Sequence, residues 1–341
     1  MQKCQVLTDH VVYAVRDLAR SVYSGDKVEA AMSALVATTS QLPLVNLDYW
    51  ENLIRFELMQ SLRSSIRPKW GCWSKLNQSL SWLDLISCDG YMREKTLLTM
   101  NGAAPNVFFF SMIIRRLNDW VPQVRKAARE RIPKIASESN PEHVVEVLCI
   151  VLSNWNSWGR IEEADKKILL QIASQDAVIE LLKHKLISSS SGPLLLLLSQ
   201  LGRTAILDKH LEQISASALQ PWVRARAYRI LFERRIVWVE GKRWEWTDIR
   251  YCKGRLKSIV SERSLEIQIP FLKLLERSAI DRSSIVRRVS AEFLIQELDS
   301  LGDLSKVYAD KFAADSSSSV SERGKFALKK LKEMRRMNVV P

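Results

Sequence analysis

Apolar residues recur along this chain at the spacing of one face of an α-helix, and four segments carry the same pattern in phase. Each segment has an apolar anchor, a small residue four positions later and an aliphatic residue eight positions later. The anchors are Val124, Val223, Val286 and Val320, the small residues are Ala128, Ala227, Ser290 and Gly324, and the aliphatic residues are Ile132, Leu231, Leu294 and Leu328. Because offsets of four and eight fall on one stripe of a helix, we expect the small residue to let a neighbouring helix approach closely.

The anchors predict a repeat of roughly 33 residues. A fainter copy starts at Met92, and successive anchors are then 32, 99, 63 and 34 residues apart, which are one, three, two and one multiples of that period. Most of the remaining chain has helical apolar spacing as well. The segments concerned are 5–20, 27–39, 47–63, 105–117, 142–153, 162–173, 176–187, 193–202, 205–214 and 265–278.

Two of the four segments carry an Asp shortly before the anchor and an Arg directly after it, as in Asp119 with Val124-Arg125. This pattern resembles the second helix of a HEAT repeat. The resemblance implies an all-α fold, a right-handed α-solenoid of about ten HEAT-like helix pairs. Residues 1–341 would form a single continuous solenoid. Its parts would be divergent N-terminal repeats at 1–104, central repeats at 105–235, a hairpin insertion and following helix at 236–260, and C-terminal repeats with a basic cap helix at 261–341.

The resemblance also implies a structural ladder of ion pairs. In it, Arg125 would pair with Asp119, and Arg287 with Asp281, because a buried guanidinium needs a partner. Arg93 and Arg224 lack the upstream Asp. We therefore expect those two arginines to be freer to bind a ligand.

Residues 236–250, "IVWVEGKRWEWTDIR", interrupt the helical pattern with an alternating one. Placing Gly241-Lys242 at a two-residue turn pairs Val239 with Trp244 and Val237 with Trp246. We therefore expect a β-hairpin inserted near 236–247, with the next helix beginning near residue 254.

The charge of the chain directs attention to the same region. The formal net charge is +13, and residues 220–257 contribute eleven Lys or Arg against four acids. Interleaved cations and aromatic rings suit nucleic acid, DNA or RNA, because cations neutralise phosphates while rings stack on bases. The predicted nucleic-acid or anion-binding residues are Arg224, Arg226, Arg229, Arg234, Arg235, Trp238, Lys242, Arg243, Trp244, Arg250, Tyr251, Lys253 and Arg255. Two alternatives stay open: the surface grips an acidic protein partner, or the tryptophans cover apolar solenoid surface.

Nothing in the sequence predicts a catalytic residue, a cofactor or a metal ligand. The four histidines fall in separate segments, and phosphate-cradling glycine loops and a CxxC motif do not occur. Five widely spaced cysteines are typical of reduced thiols in a cytoplasmic protein. The longest apolar stretches are too short to span a bilayer.

These properties favour a non-enzymatic binding protein. The architecture, charge and tryptophan content are also similar to those of the HEAT-like alkylpurine DNA glycosylases, which leaves an enzyme acting on alkylated bases as an alternative. The segment "SNWNSWGRIEEAD" at 153–165, with two tryptophans, an arginine and nearby acids, is the feature that this alternative would use.

Overall fold

The computed structural model describes residues 2–63 and 81–337. These ranges contain seventeen α-helices and one two-stranded sheet. The all-α fold with one inserted hairpin is therefore confirmed, while the number of HEAT-like pairs, their handedness and their continuity along 1–341 stay predictions. No helix in the described ranges is long and apolar enough to cross a membrane.

The chain divides into two compact units, Met1–Leu181 and Leu182–Pro341. The helices of the first unit are α1 (Gln2–Ser24), α2 (Val28–Thr39), α3 (Leu47–Arg63), α4 (Ser81–Asp84), α5 (Gly90–Thr99), α6 (Val107–Arg115), α7 (Pro122–Glu138), α8 (Pro141–Asn154) and α9 (Glu163–Ala173), and the division falls within α10 (Asp176–Ser188). Helices two apart in the chain pack side by side, α5 on α7 and α7 on α9, while α6 packs on α8. This arrangement gives the unit two layers of helices.

The second unit repeats that arrangement around a hairpin. Its elements are α11 (Leu194–Leu201), α12 (Leu211–Ser217), α13 (Pro221–Glu233), β1 (Arg235–Asp248), β2 (Lys253–Ser264), α14 (Phe271–Ser278), α15 (Ser284–Gln296), α16 (Asp303–Ala313) and α17 (Ser318–Met337). Here α13 packs on α15 and α15 on α17. The expected basic helix at the end of the chain is α17.

The repeated stripe lies where two helices meet. The four anchors are fully buried, and so are Ala128, Ala227 and Ser290 at the small position. At the fourth small position, a Cβ added to Gly324 of α17 would lie 2.7 Å from the Cα of Ala313 and closer still to other backbone atoms of α16. The prediction that the small residue permits close helix approach is confirmed at Gly324.

Asp84, the last residue of α4, gives the first unit a pH dependence. Burial raises the pKa of this carboxyl from 3.8 to about 6, although Lys95 opposes the shift. A carboxyl with a higher pKa in the folded chain binds more protons when folded, so its contribution to stability is present below about pH 4 and is lost as the pH rises through about 6. Asp84→Asn should therefore raise the urea midpoint of unfolding, and its advantage over the native chain should grow between pH 4 and pH 7. Urea curves that differ by the same amount at both pH values would contradict this expectation.

Candidate functional site

The inserted hairpin is longer than the sequence predicts, and its turn lies elsewhere. Strand β1 pairs antiparallel with β2, so that Trp244 faces Leu256 and Trp246 faces Gly254. The turn is formed by residues 249–252 rather than by Gly241-Lys242. The expected pairs within 236–247 are wrong, and so is the helix expected near residue 254, because 253–264 is the second strand.

The reason lies in how the chain uses Gly241 and Asp248. The register of the ladder shifts between Val239 and Gly241, so Glu240 is the extra residue of a β-bulge and Gly241 pairs with Ile259 inside the ladder. At the true turn, the Asp248 carboxylate accepts the backbone N–H groups of Arg250, at 3.0 Å, and of Tyr251, at 3.4 Å. Aspartate commonly starts a turn in this way, which is the signal in the sequence that could have located it.

The base of the hairpin is fixed to the helices of the second unit. Ile236 is fully buried, and a Cβ added to Gly202 would lie 2.7 Å from its Cγ2. Arg263 donates two hydrogen bonds to the Asp208 carboxylate, at 2.6 and 2.9 Å, and further bonds to the backbone carbonyls of Gly202 and Thr204. These contacts hold β1 and β2 against the segment that follows α11. The arginine at 263 was not among the predicted residues because its partners lie 55–61 residues away.

One face of the hairpin is apolar and exposed. Cross-strand pairing places five large apolar side chains on it, each at least 40% exposed: Val239, Trp244, Trp246, Leu256 and Val260. The two indoles meet edge to face, with ring centroids 5.5 Å apart. The ring of Trp244 lies directly over Gly254, where an added Cβ would come within 2.5 Å of the indole. Trp244 and Trp246 are 46% and 54% exposed, and ring contacts still hold them in place.

The opposite face and the turn are basic. Arg243 lies across from Lys257, and Glu245 lies across from Arg255. Glu245 pairs with Lys257 at 3.0 Å and with Arg255 at 3.4 Å, and the hydrogen bond from Lys257, followed by Arg255, holds the pKa of Glu245 below its ordinary value. At the turn, the ammonium of Lys253 lies over the ring of Tyr251, 5.6 Å from its centroid. The predicted cations with neither an ion pair nor a side-chain hydrogen bond within the described ranges are Arg234, Lys242, Arg243, Arg250 and Lys253.

Arg224 was predicted to be free for a ligand, and that prediction is wrong. It is 1% exposed, and its guanidinium makes a two-pronged ion pair with the Asp281 carboxylate at 2.8 and 2.9 Å. Arg93 is buried in the same way against Asp119. Both arginines are therefore structural.

The ladder that the sequence predicts forms with different partners. Each of four arginines donates from Nη1 to the backbone carbonyl six residues upstream, at 2.7 to 2.9 Å. They are Arg93, Arg125, Arg224 and Arg287. Every residue has a backbone carbonyl, so Ser87 and Ala218 can accept this hydrogen bond as well as an aspartate can. The predicted carboxylate pairs, Arg125 with Asp119 and Arg287 with Asp281, are wrong.

Each aspartate carboxylate serves a preceding arginine instead. Asp119 accepts Arg93, Asp281 accepts Arg224, and Asp315 accepts Arg287 at 2.6 and 2.9 Å. The paired residues are 26, 57 and 28 positions apart, respectively. The sequence separation of Arg224 and Asp281 exceeds the separations of the other two pairs by the length of the hairpin, 235–264, to within a residue. The interval from Val223 to Val286 is therefore one repeat with an insertion, rather than the two repeats that the spacing suggested.

Two further predicted arginines are engaged within the second unit. Arg226 is half-buried and donates to the backbone carbonyl of Val237 at 2.8 Å, and burial lowers its pKa. Arg229 pairs with Glu292 at 2.5 Å and lies over the ring of Phe293, 5.5 Å from its centroid. These contacts engage both side chains within the unit, and their role in binding a ligand stays a prediction.

The first residues of the hairpin are also engaged. Trp238 donates from Nε1 to Glu240 at 2.5 Å, and the guanidinium of Arg203 lies over its ring. Arg235 is exposed and pairs with Glu262 at 2.7 Å. Of the predicted site, the structure therefore brings together the part from Lys242 onward. It adds Trp246, Leu256 and Lys257, which the prediction left out.

No known protein family, curated protein or solved structure matches this chain. Within the described ranges, no group of three or more His, Cys, Asp or Glu side chains is placed to hold a metal ion. The chemistry of the hairpin itself is therefore the basis for assigning a function.

Proposed function

We propose that the protein binds nucleic acid, DNA or RNA, through the outer hairpin, residues 242–257, which projects from a framework of HEAT-like helix pairs. The observation that carries the proposal is the pair of exposed indoles, Trp244 and Trp246, set beside cations that have no ion-pair partner among the described residues. Cys88, Cys149 and Cys252 form no disulfide within the described part of the chain, which suits a reducing compartment such as the cytoplasm.

The charge of the outer hairpin suits a phosphate backbone. It carries six Lys or Arg, at 242, 243, 250, 253, 255 and 257, against Glu245 and Asp248. Only Arg255 and Lys257 pair with Glu245, and both are more than half exposed. Binding of phosphates by these cations releases condensed counterions, which makes the affinity depend on salt.

The indoles suit unpaired bases. Stacking of a base on an aromatic side chain is worth about 1–3 kcal/mol and tolerates any base. Lys242 lies on the same face as Trp244, so a base stacked there would have its phosphate within reach of that ammonium. The arrangement favours single-stranded nucleic acid, in which the bases are accessible.

Reversing two charges should weaken binding without disturbing the fold. In Lys242→Glu with Arg243→Glu, two phosphate contacts are replaced by repulsion, so we expect at least about a tenfold loss of affinity and a salt slope smaller by about two. Fluorescence anisotropy of labelled single-stranded and duplex oligonucleotides, at several salt concentrations, measures both quantities.

The matched control is Lys126→Glu with Lys167→Glu, which makes the same change of net charge at exposed positions of α7 and α9. This control should retain most of the affinity. If the two double variants lose affinity equally, the binding comes from the net charge of the chain and the hairpin has no special role.

A second candidate, binding of an acidic protein, is favoured by a different observation. Val239, Leu256 and Val260 extend the apolar face beyond the indoles, and nucleic acid has no need of aliphatic side chains there. Leu256→Ser with Val260→Ser separates the candidates. It should leave oligonucleotide affinity nearly unchanged if bases stack on the indoles, whereas a protein held by the whole apolar face should be lost.

A further inference from the structure

A cleft in the first unit is unrelated to the hairpin. Its volume is about 770 Å³, which is in the range of small-molecule sites. It is lined by the first half of α3, the segment that precedes and begins α5, the segment from the end of α6 to Trp120, and the loop 157–160. All of its lining residues lie within Met1–Leu181.

The walls of this cleft carry a surplus of positive charge. Five arginines line it, Arg55, Arg93, Arg115, Arg116 and Arg160, against three acids, Asp48, Glu51 and Asp119. A cleft with a surplus of one sign of charge attracts ions of the opposite sign.

The acids of the cleft are already neutralised. Buried Glu51 accepts Arg55 and Arg116, both at 2.7 Å, and Arg115 at 3.0 Å. Asp48 pairs with Arg115 as well.

Asp119, the third acid, is neutralised from two sides. It accepts both prongs of Arg93 and, at 3.1 Å, Arg116. Burial alone would raise the pKa of Asp119, but the hydrogen bonds from Arg93 and from the backbone of Val121, with the charge of Arg116, hold it below its ordinary value. Asp119 therefore stays ionised, each of the three acids is paired with an arginine, and the unbalanced charge of the cleft is positive.

Among the five arginines that line the cleft, Arg160 is the one that no carboxylate of the cleft accepts. Its side chain is exposed and has no ion-pair partner within 2–63 and 81–337. The loop that presents it is held at both ends: Trp155 is fully buried, and Asn118 accepts the backbone N–H of Arg160 at 3.0 Å. The guanidinium is therefore available to a ligand from a fixed loop.

Two indoles line the same cleft. Trp120 is 67% exposed and directly follows Asp119 of the buried network, while Trp158 is half-buried on the loop that carries Arg160. An indole that is left exposed beside fixed cations offers a flat apolar surface to a planar ring. Such a cleft matches a ligand that combines a ring with an anionic group.

We propose that this cleft binds a nucleoside phosphate, with the phosphate on Arg160 and the ring against Trp120 or Trp158. Guanidinium groups suit phosphate oxygens because they donate two parallel hydrogen bonds. The proposal does not rest on nucleic-acid binding by the hairpin, which lies in the other unit.

Isothermal titration of the full chain with adenosine monophosphate tests the proposal. Saturable binding is expected, together with much weaker binding of adenosine and of inorganic phosphate, because each supplies half of the ligand. Arg160→Ala should weaken the binding at least about tenfold, since it removes hydrogen bonds to a charged group. Trp120→Ala should weaken it less, and both residues are exposed, so the fold should be kept.

The control is Lys242→Glu with Arg243→Glu, which should bind the nucleotide as the native chain does. If the full chain binds oligonucleotides through the hairpin but shows no binding of adenosine monophosphate, this inference is overturned and the proposed function is not. The inference is also overturned if Arg160→Ala binds as tightly as the native chain, or if the hairpin variant loses the nucleotide. Comparison with a 5′-phosphorylated trinucleotide shows whether free nucleotides or chain ends are preferred, and tight binding of either supports the site.

Discussion

Gly324→Ala is expected to lower the free energy of unfolding of the second unit by about 3 kcal/mol, because the added methyl group meets backbone and not a movable side chain. The Cβ would lie 2.7 Å from the Cα of Ala313 and closer still to the nitrogen of Ala313 and the carbonyl carbon of Phe312. Helix α16 or α17 must therefore shift, and the shift would disturb Phe312 and Val320 in the core between them. Urea unfolding, followed by circular dichroism, measures the loss as a lower midpoint.

The matched control for this variant is Gly241→Ala. A Cβ at Gly241 meets no atom within 4 Å, and the glycine belongs to the same unit. We expect its midpoint to stay within about 0.5 kcal/mol of the native value. If Gly324→Ala and Gly241→Ala lower the free energy of unfolding by the same amount, the glycine at 324 is not required by the close approach of the two helices.

Arg224→Ala should cost about 3–5 kcal/mol, because it leaves the Asp281 carboxylate in a protein environment without its cation. The side chains of the pair are 1% and 9% exposed. Arg224 also satisfies the carbonyls of Ala218 and Leu219, and those acceptors would be left without a donor. The urea midpoint of the full chain should fall accordingly, and the double variant with Asp281→Ala should lose less than the sum of the two single variants.

Arg250→Ala is the control for this prediction. Arg250 is exposed on the turn of the hairpin, so its removal should leave stability within about 0.5 kcal/mol while weakening oligonucleotide binding. The reverse result, in which Arg224→Ala loses affinity but keeps its stability, would restore Arg224 to the binding surface and contradict the structural role assigned to it.

The helical part of the fold is predictable from the sequence because its signal is local. The stripe of Val286, Ser290 and Leu294 lies within one helix, and its burial follows from spacing alone. The existence of the hairpin is predictable for the same reason, since β1 alternates. Its turn is harder to place, because Gly241-Lys242 and Asp248 both carry turn signals, and the choice between them is made by a partner strand that the local pattern does not include.

The role of a charged residue is harder to predict than a helix, because the partner of an arginine side chain can lie far along the chain. Arg229 looks like its exposed neighbours in the sequence, yet its partner Glu292 is 63 residues away. The Asp–Arg ladder shows the same limit. The sequence contains the right residues, but the carboxylate that each arginine meets belongs to the next helix pair, and spacing within one segment cannot reveal it.

The hairpin lengthens the separation between Arg224 and Asp281 to 57 residues while their ion pair keeps the geometry found between Arg287 and Asp315. The helical frame therefore closes across the insertion as though it were absent, and the contacts of the strands with that frame lie near their base, at residues 236–240 and at Arg263. The tip of the hairpin can consequently change in length or in its side chains during evolution without any change in the packing of the helices. The same independence makes the tip a natural place to graft a different recognition loop.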